Sequence, residues 1–288
     1  MHQRAVRNLA KLETTQARMT RLFDAAAGGK NNFQADKDMV RHFEQAAPVV
    51  TTAARAVLQF LSRVIRHLAA HEGVDQFMII GSGVPSGLPP GRRLHDLARQ
   101  ASPSPAVRTV YVENNPMVVT MAQATIEPFS DLVRVVDGDV HEIDEMLGDR
   151  VVQTFLDWDR PIAVLLLSAQ SLDDEEYAHY VIKRLRHTAP AGSFLALAHT
   201  TFDAVPQELL PAVRDMLAMT LPRLAIRTKE EVEALLDGLD LVDPGLVWVP
   251  EWHAGAPAPG DAAPEDDDAA CADQPAASGN YGAVAHIP

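Results

Sequence analysis

Glycines and an acidic residue stand at the ends of two consecutive apolar segments, an arrangement that can hold a nucleoside. The first segment, 76–81, runs into Gly81-Ser82-Gly83, and the next one carries Glu113 near its end. Glycines let a ligand approach the backbone, and an acid at the end of the following strand can accept both ribose hydroxyls. A tight turn would explain the glycines by themselves. Together with Glu113, they favour a ligand site.

The loop after Gly83 indicates which nucleoside would bind. A dinucleotide site begins its helix inside G-x-G-x-x-G, so that the helix N-terminus faces the pyrophosphate. Here Pro85 and further prolines delay the next helix to about Arg92, which disfavours a nicotinamide-dependent oxidoreductase. S-adenosylmethionine has no phosphate, so its binding does not need a helix N-terminus at this position. The acids Asp137 and Asp139 suit this cofactor.

Two further residues are candidates because they follow predicted strands. Asp139, after the third strand, lies where an adenine amino group is usually held, or else it caps a helix that starts at Val140. His199, at the end of the fifth strand, is the candidate catalytic residue, and its alternative role is that of a satisfied buried histidine. His141, His179 and His187 lack convergent partners, so we predict no metal site.

Composition excludes several classes of protein. The 288 residues carry a net charge of −14, and residues 73–288 hold 33 acidic against 14 basic side chains, which argues against nucleic-acid binding. The longest apolar run, 162–167, is too short to cross a bilayer, and one cysteine excludes a disulfide framework. We therefore expect a cytoplasmic protein with a small-molecule partner and no membrane association. Nothing in the sequence indicates the oligomeric state.

Apolar segments alternate with amphipathic ones from residue 74 onward, which predicts a doubly wound α/β domain. Their near-continuous apolar character is typical of parallel strands that are covered on both faces. The predicted strands are 76–81, 109–114, 133–138, 162–168 and 193–199. The predicted helices are 92–101, 116–126, 141–147, 174–188, 206–219 and 228–237.

The two ends of the chain have a different character. Residues 1–72 show helical periodicity and are predicted to form a helical cap before the Rossmann-like cofactor-binding domain at 73–288. Residues 241–252 indicate a strand pair or a broken strand, and the chain closes with a strand from Tyr281. Between them, residues 254–279 contain six acids and no Lys or Arg, the composition of a flexible loop.

The chain resembles the bacterial S-adenosylmethionine-dependent methyltransferase family formerly listed as a domain of unknown function. The most specific match is Gly28-Gly29-Lys30-Asn31-Asn32-Phe33, and others are Ile80-Gly81-Ser82-Gly83 and Val110-Tyr111-Val112-Glu113-Asn114-Asn115-Pro116. The resemblance covers nearly the whole chain. It implies a class I methyltransferase-type seven-stranded sheet, with five parallel strands and an antiparallel closing pair. It also implies an enzyme that transfers a methyl group to a small molecule in secondary metabolism.

The resemblance also extends the set of candidate site residues. The cofactor-binding candidates are Gly81, Ser82, Gly83, Pro85, Glu113, Asn114, Asp139, Val140 and Ser168. The family's N-terminal helices are expected to cover the cofactor. The candidates on this cap or on the substrate side are Phe23, Asp24, Gly29, Lys30, Asn32, Phe33 and Gln170. Lys30 alone would otherwise be a solvated surface residue.

This chain departs from the family pattern at the presumed ligand side. Ile79 replaces the family's Asp two residues before Gly81, Ala25 to Ala27 replace bulkier side chains, and Gln170-Ser171 replaces Leu-His after the fourth strand. The family's Asp typically anchors the amino-acid end of the cofactor. These changes keep open an alternative function, that of a non-catalytic or repurposed binding protein on the methyltransferase fold.

The acidic segment 254–279 lacks large apolar side chains that could offset the entropy of ordering it. Replacing residues 256–276 by a short Gly/Ser linker should leave the melting temperature nearly unchanged, because loop-closure entropy varies slowly with length. Thermal unfolding of the two proteins checks this. A drop of many degrees would show that the segment packs on the domain.

Overall fold

The structure is a computed structural model that describes residues 14–15, 17, 19–26, 29–46, 49–81, 91–220, 223–253 and 273–288. Ser82, Gly83, Pro85 and most of the acidic segment lie outside these residues. The helices before the first strand are α1 (Met19–Ala26), α2 (Gln34–Ala46) and α3 (Val49–Ala70). The later ones are α4 (Leu94–Ala101), α5 (Pro116–Thr125), α6 (Ile143–Leu147), α7 (Arg150–Phe155), α8 (Glu175–Thr188), α9 (Leu210–Thr220) and α10 (Lys229–Leu235).

One mixed sheet holds all eight strands of the described residues, in the order β3-β2-β1-β4-β5-β8-β6, with β7 also paired to β8. The strands are β1 (Gln76–Ile80), β2 (Arg108–Glu113), β3 (Val133–Asp137), β4 (Ala163–Leu166), β5 (Ser193–Thr200), β6 (Asp240–Leu241), β7 (Val247–Trp248) and β8 (Asn280–Ile287). The first five strands are parallel, and β8 pairs antiparallel with β5. This confirms the predicted fold class.

The predicted broken strand between residues 241 and 252 consists of two short pieces. β6 pairs with the C-terminal part of β8 and β7 with its N-terminal part, both antiparallel. Together they flank β8 on the side opposite β5. The predicted closing pair is therefore present, with one of its members divided, and the described strands number eight rather than seven.

The central strands are buried because apolar layers cover both faces of the sheet. On one face, α3 contributes Phe60, Leu61, Val64 and neighbouring side chains to a cluster with the strands. On the other face, residues of α6, α8 and α10 form a second cluster. Apolar residues alternate between these clusters along each strand, which explains why the strands are apolar throughout. A capping box begins α10, near the start of the predicted helix 228–237: Thr228 Oγ1 accepts the Glu231 N–H at 3.3 Å, and Glu231 Oε2 accepts the Thr228 N–H at 2.8 Å.

The N-terminal helices occupy two different places. α3 is part of the sheet core, whereas α1 and α2 form a small separate cluster in which Leu22, Ala26 and Val40 meet Ala54 of α3. Residues 1–13 lie outside the described part of the chain. The role of α1 and α2 as a cover over the cofactor stays a prediction.

The chain after β7 is anchored to α3. Trp252 is fully buried with its ring edge-on to Phe60 at 5.6 Å, and Arg63 donates to the Val249 and Trp252 carbonyls at 2.7 and 2.9 Å. Residues 275–278 form a 3-10 turn that packs against α3, with Ser278 fully buried. This turn shortens the predicted loop at its C-terminal end. A linker replacement that leaves the turn intact must therefore end before Gln274.

No helix in the described ranges is long and apolar enough to cross a membrane.

Gly282 of β8 should not tolerate a side chain. A Cβ there would lie 2.9 Å from both Phe60 Cζ and Val249 Cγ1 in the core that joins α3 to the closing strands. We expect Gly282→Ala to lower the free energy of unfolding by about 1–3 kcal/mol, the usual cost of overpacking. Urea denaturation measures this change.

Gly148→Ala is the matched control for this prediction. Gly148 is exposed at the end of α6 with φ −81°, a conformation that alanine adopts readily, and a Cβ there would lie 3.1 Å from the Asp144 carbonyl oxygen of the same helix rather than against core side chains. A methyl group there should change the unfolding free energy by less than about 1 kcal/mol. Equal effects of the two substitutions would contradict the packing argument.

Candidate functional site

The carboxyl ends of β1 and β4 meet at Gly81 and Ser168. Gly81 has a φ of +75°, and its N–H donates to the Val112 carbonyl of β2 at 2.9 Å. A Cβ at Gly81 would lie 2.5 Å from Ser168 Cβ, so only glycine allows this approach. The Ser168 hydroxyl is buried and has no hydrogen-bond partner within the described residues. It can therefore donate to or accept from a ligand at this edge.

Glu113 lies at the carboxyl end of β2, next to β1 in the sheet. It is 1% exposed, and its backbone carbonyl accepts the Gly138 N–H of the β3 end at 3.0 Å. The neighbouring Asn114 donates through its amide to Asp139 Oδ2 at 3.1 Å. The structure thus brings the predicted residues Glu113, Asn114 and Asp139 together at adjacent strand ends.

Asp139 caps the turn that starts at Val140, which agrees with the capping role that was one of its two predicted roles. Its Oδ1 accepts the His141 backbone N–H at 3.1 Å and lies 2.9 Å from His141 Nδ1. The capped element is a 3-10 turn at Val140–Glu142 that precedes α6. Val140 itself is 4% exposed and belongs to the apolar cluster on this face of the sheet. The adenine-binding role of Asp139 and the cofactor contact of Val140 stay predictions.

The turn after β4 carries the substrate-side candidate Gln170. It spans Ala169–Ser171 and closes on Ser168, whose carbonyl accepts the Ser171 N–H at 2.9 Å and the Ser171 hydroxyl at 2.7 Å. Gln170 Oε1 is buried with no hydrogen-bond partner in the described part of the chain. This oxygen can accept a hydrogen bond from a ligand.

His199 is fully buried between one hydrogen-bond acceptor and one donor. Its Nδ1 lies 2.9 Å from the Thr200 carbonyl, and the Arg227 guanidinium donates from Nη1 to its Nε2 at 2.9 Å. A carbonyl only accepts and a guanidinium only donates, so the imidazole is neutral and carries its proton on Nδ1. Burial lowers the pKa of His199 to about 4.

Arg227, the hydrogen-bond partner of the candidate residue His199, was not singled out by the sequence. It is 4% exposed and also donates to Glu175 Oε2, from Nε at 2.9 Å, and to the Leu172 carbonyl, from Nη2 at 2.8 Å. It directly precedes the helix cap of α10, where nothing in the local pattern marks it. A catalytic role of His199 as a proton acceptor stays a prediction and requires Arg227 to release Nε2.

Ile79 occupies the position of the family's acidic residue. It is fully buried and belongs to the apolar cluster between the sheet and α3. A carboxylate there would be desolvated without a partner of opposite charge in that cluster, which is costly. The substitution thus converts a polar position at the end of β1 into part of the core.

The Gly-Gly-Lys-x-Asn-Phe segment is organised by Asp24 of α1. The Asp24 carboxylate accepts the Asn31 backbone N–H at 2.8 Å and the Asn32 amide at 2.7 Å, and the Gly29 N–H donates to the Asp24 carbonyl at 2.7 Å. A Cβ at Gly29 would lie 2.5 Å from Asp24 Cγ, so glycine is required. Burial raises the pKa of Asp24. The segment therefore has a structural role in joining α1 to α2.

Phe33 also lies in the segment that joins α1 to α2, beside a buried ion pair. Arg21 and Asp36 form a fully buried ion pair with Nε and Oδ2 2.9 Å apart, and the Phe33 N–H donates to the same oxygen at 2.8 Å. The Arg21 guanidinium also lies over the Phe33 ring, 5.1 Å from its centroid. Lys30 is exposed, and Phe23 lies in α1. A ligand-facing role for these residues stays a prediction.

Within the described ranges, no group of three or more His, Cys, Asp or Glu residues could hold a metal ion.

Stability should fall as the pH is lowered from 6.5 to about 4, because His199 takes up a proton in the unfolded chain before it does so in the folded one. Its folded pKa of about 4 lies below the ordinary 6.5, so only the unfolded chain takes up the proton there. This difference removes roughly 3 kcal/mol of stability over the interval, and the loss levels off below pH 4.

His199→Gln isolates this contribution. A glutamine amide offers one donor and one acceptor, as the neutral imidazole does, but does not titrate. Urea denaturation from pH 4 to 7 should give a shallower pH dependence for the variant than for the wild type. Parallel curves would contradict the neutral, buried state of His199.

Known proteins resemble this chain over almost its entire length. Residues 5–288 match a family described as S-adenosyl methyltransferase. A DUF574 family protein from Streptomyces avermitilis is 30% identical with a TM-score of 0.79, over 96% of this chain and 99% of that one. A candidate methyltransferase from Thermobifida fusca is 25% identical with a TM-score of 0.79, over 96% and 97%. No curated protein matches the sequence. The extent of the family match shows that the chain belongs to the S-adenosyl methyltransferase family, as the resemblance predicted.

Proposed function

We propose that the protein transfers a methyl group from S-adenosylmethionine to a small-molecule acceptor of secondary metabolism. The observation that carries this proposal is the position of Glu113, buried at the end of β2 beside the glycine that ends β1. A carboxylate at this position can accept both hydroxyls of a ribose. The family match supports the same cofactor.

The residues present suit this cofactor along its length. Glu113 would hold the ribose, and Asp139 with Asn114 would hold the base. At the amino-acid end, Ser168 packs against Gly81, and its buried hydroxyl offers a hydrogen-bonding group without a protein partner in the described residues. When bound, the cofactor supplies a methyl group on a sulfonium centre, which is already a good leaving group.

The work of the protein is then mainly to orient the acceptor and exclude water. Gln170 Oε1, buried and without a described hydrogen-bond partner, would accept a hydrogen bond from the acceptor's O–H or N–H. His199 would take a proton only if Arg227 moved away from its Nε2. The segment from Phe23 to Phe33 would cover the ligand. A cytoplasmic location and the absence of nucleic-acid partners stay predictions.

A second candidate function is binding without methyl transfer. Ile79 favours it, because this fully buried side chain replaces the acid that typically anchors the cofactor in the family. Such a protein would bind the cofactor or a related nucleoside and produce no S-adenosylhomocysteine. Incubation with S-adenosylmethionine and a panel of hydroxyl, amine and carbon acceptors, followed by detection of S-adenosylhomocysteine, separates the two functions.

Calorimetry with S-adenosylmethionine and S-adenosylhomocysteine tests the proposed cofactor directly. We expect both to bind, and Glu113→Ala to weaken binding by about 100-fold or more, because two charge-assisted hydrogen bonds to the ribose are lost. Glu176→Ala removes an exposed carboxylate from α8 and serves as the control. Absence of binding at millimolar concentration, or equal effects of the two variants, would overturn the proposal.

A further inference from the structure

His141 connects the ends of two strands that are not neighbours in the sheet. Its Nδ1 lies 2.9 Å from Asp139 Oδ1, after β3, and its Nε2 lies 2.9 Å from the Ser171 carbonyl, after β4. Two strands, β2 and β1, lie between β3 and β4, a separation of about 14 Å of sheet width. The imidazole therefore bridges the carboxyl edge at which the cofactor residues meet.

The partners of His141 determine its protonation state. The Ser171 carbonyl can only accept a hydrogen bond, so Nε2 must carry a proton. Asp139 accepts the His141 backbone N–H through Oδ1 and the Asn114 amide through Oδ2, as an ionised carboxylate does. Nδ1 must therefore donate as well. Both ring nitrogens donate only in the imidazolium form, in contrast to His199, which has one acceptor and one donor.

The charges around His141 also favour the cation. Its hydrogen bond to Asp139 is the largest cause that raises the pKa of His141, and the charge of Asp173, on the segment after β4, acts in the same direction. From α8, the Tyr177 hydroxyl reaches the same turn, where it accepts the Ile143 N–H at 3.3 Å and donates to the Val140 carbonyl at 3.4 Å. Burial opposes the cation but is the smaller effect.

The bridge continues to the presumed amino-acid end of the cofactor. Ser171 closes its turn on the Ser168 carbonyl, and Ser168 packs against Gly81. Asp139, His141, Ser171, Ser168 and Gly81 thus form one contiguous path along the carboxyl edge. Holding His141 in place therefore holds Asp139 on one side of it and the Ala169–Ser171 turn on the other.

We propose that His141 is a positioning residue of the cofactor site, whose imidazolium holds Asp139 and the Ala169–Ser171 turn in register for the nucleoside. This inference rests on the proposed function, because it takes Asp139 as the residue that holds the base. Loss of the proton removes one of the two hydrogen bonds and frees either the turn or the carboxylate. Cofactor affinity should then fall as the pH rises through the pKa of His141.

Two measurements test the inference. An NMR titration of the histidine side chains, assigned with His141→Gln, should give a pKa for His141 above the ordinary 6.5. Calorimetry with S-adenosylhomocysteine from pH 6 to 9 should show affinity falling by about tenfold across that pKa, the loss of one charge-assisted hydrogen bond. His141→Gln should bind weakly and without this pH dependence, whereas His179→Gln, on the exposed face of α8, should keep it.

Each outcome decides between the two proposals. A pKa for His141 at or below 6.5, or wild-type binding that does not change across the measured pKa, would overturn the positioning role while leaving the cofactor assignment intact. A raised pKa together with no binding of S-adenosylhomocysteine at any pH would instead overturn the proposed function, and the positioning role with it. If His141→Gln fails to fold, assigning the His141 ring through its bonded backbone resonances lets the wild-type titrations decide both points.

Discussion

The close contact between Gly81 and Ser168 is the constraint on which the candidate site depends. It brings the ends of β1 and β4 within van der Waals distance, and it is possible only because residue 81 has no side chain and adopts a left-handed backbone. Glu113 then lies one strand away on β2. The turn after β4 closes on the Ser168 carbonyl. The contact thus places the turn after β4 beside the end of β1.

Burial and hydrogen-bond partners together determine the charge of the histidines near this edge. His141 faces two acceptors and is an imidazolium, whereas His199 faces the Thr200 carbonyl and the Arg227 guanidinium and is neutral. His95 is also neutral at neutral pH because it is buried; its Nδ1 lies 2.9 Å from the Tyr111 hydroxyl, which also accepts the His95 backbone N–H at 3.0 Å. Burial lowers the pKa of His95 to about 4. One residue type therefore provides a cation at one point and neutral groups at two others.

The N-terminal motif has a structural explanation that does not depend on a ligand. The Asp24 carboxylate accepts the Asn31 backbone N–H and the Asn32 side-chain amide, and the buried pair of Arg21 and Asp36 holds the start of α2. Removing either member of that pair would take away the opposite charge that the other meets in the interior, which is strongly destabilising. This explains why the spacing of Gly29, Asn31 and Asn32 is specific, whether or not the segment also covers the cofactor.

The sequence by itself determined the fold class and the outline of the site. Strands that are buried on both faces are apolar throughout, and glycine and acidic residues at strand ends are local patterns, so β1, β2 and the position of Gly81 and Glu113 at their ends could be predicted. The sequence did not reveal the bridge from Asp139 through His141 to Ser171, or the contact of Arg227 with His199. His141 and Ser171 are 30 positions apart in the chain, and His199 and Arg227 are 28 apart. Each pair meets only because of the strand order. Their protonation states depend on which partners the fold supplies, and for that reason only the tertiary structure decided them.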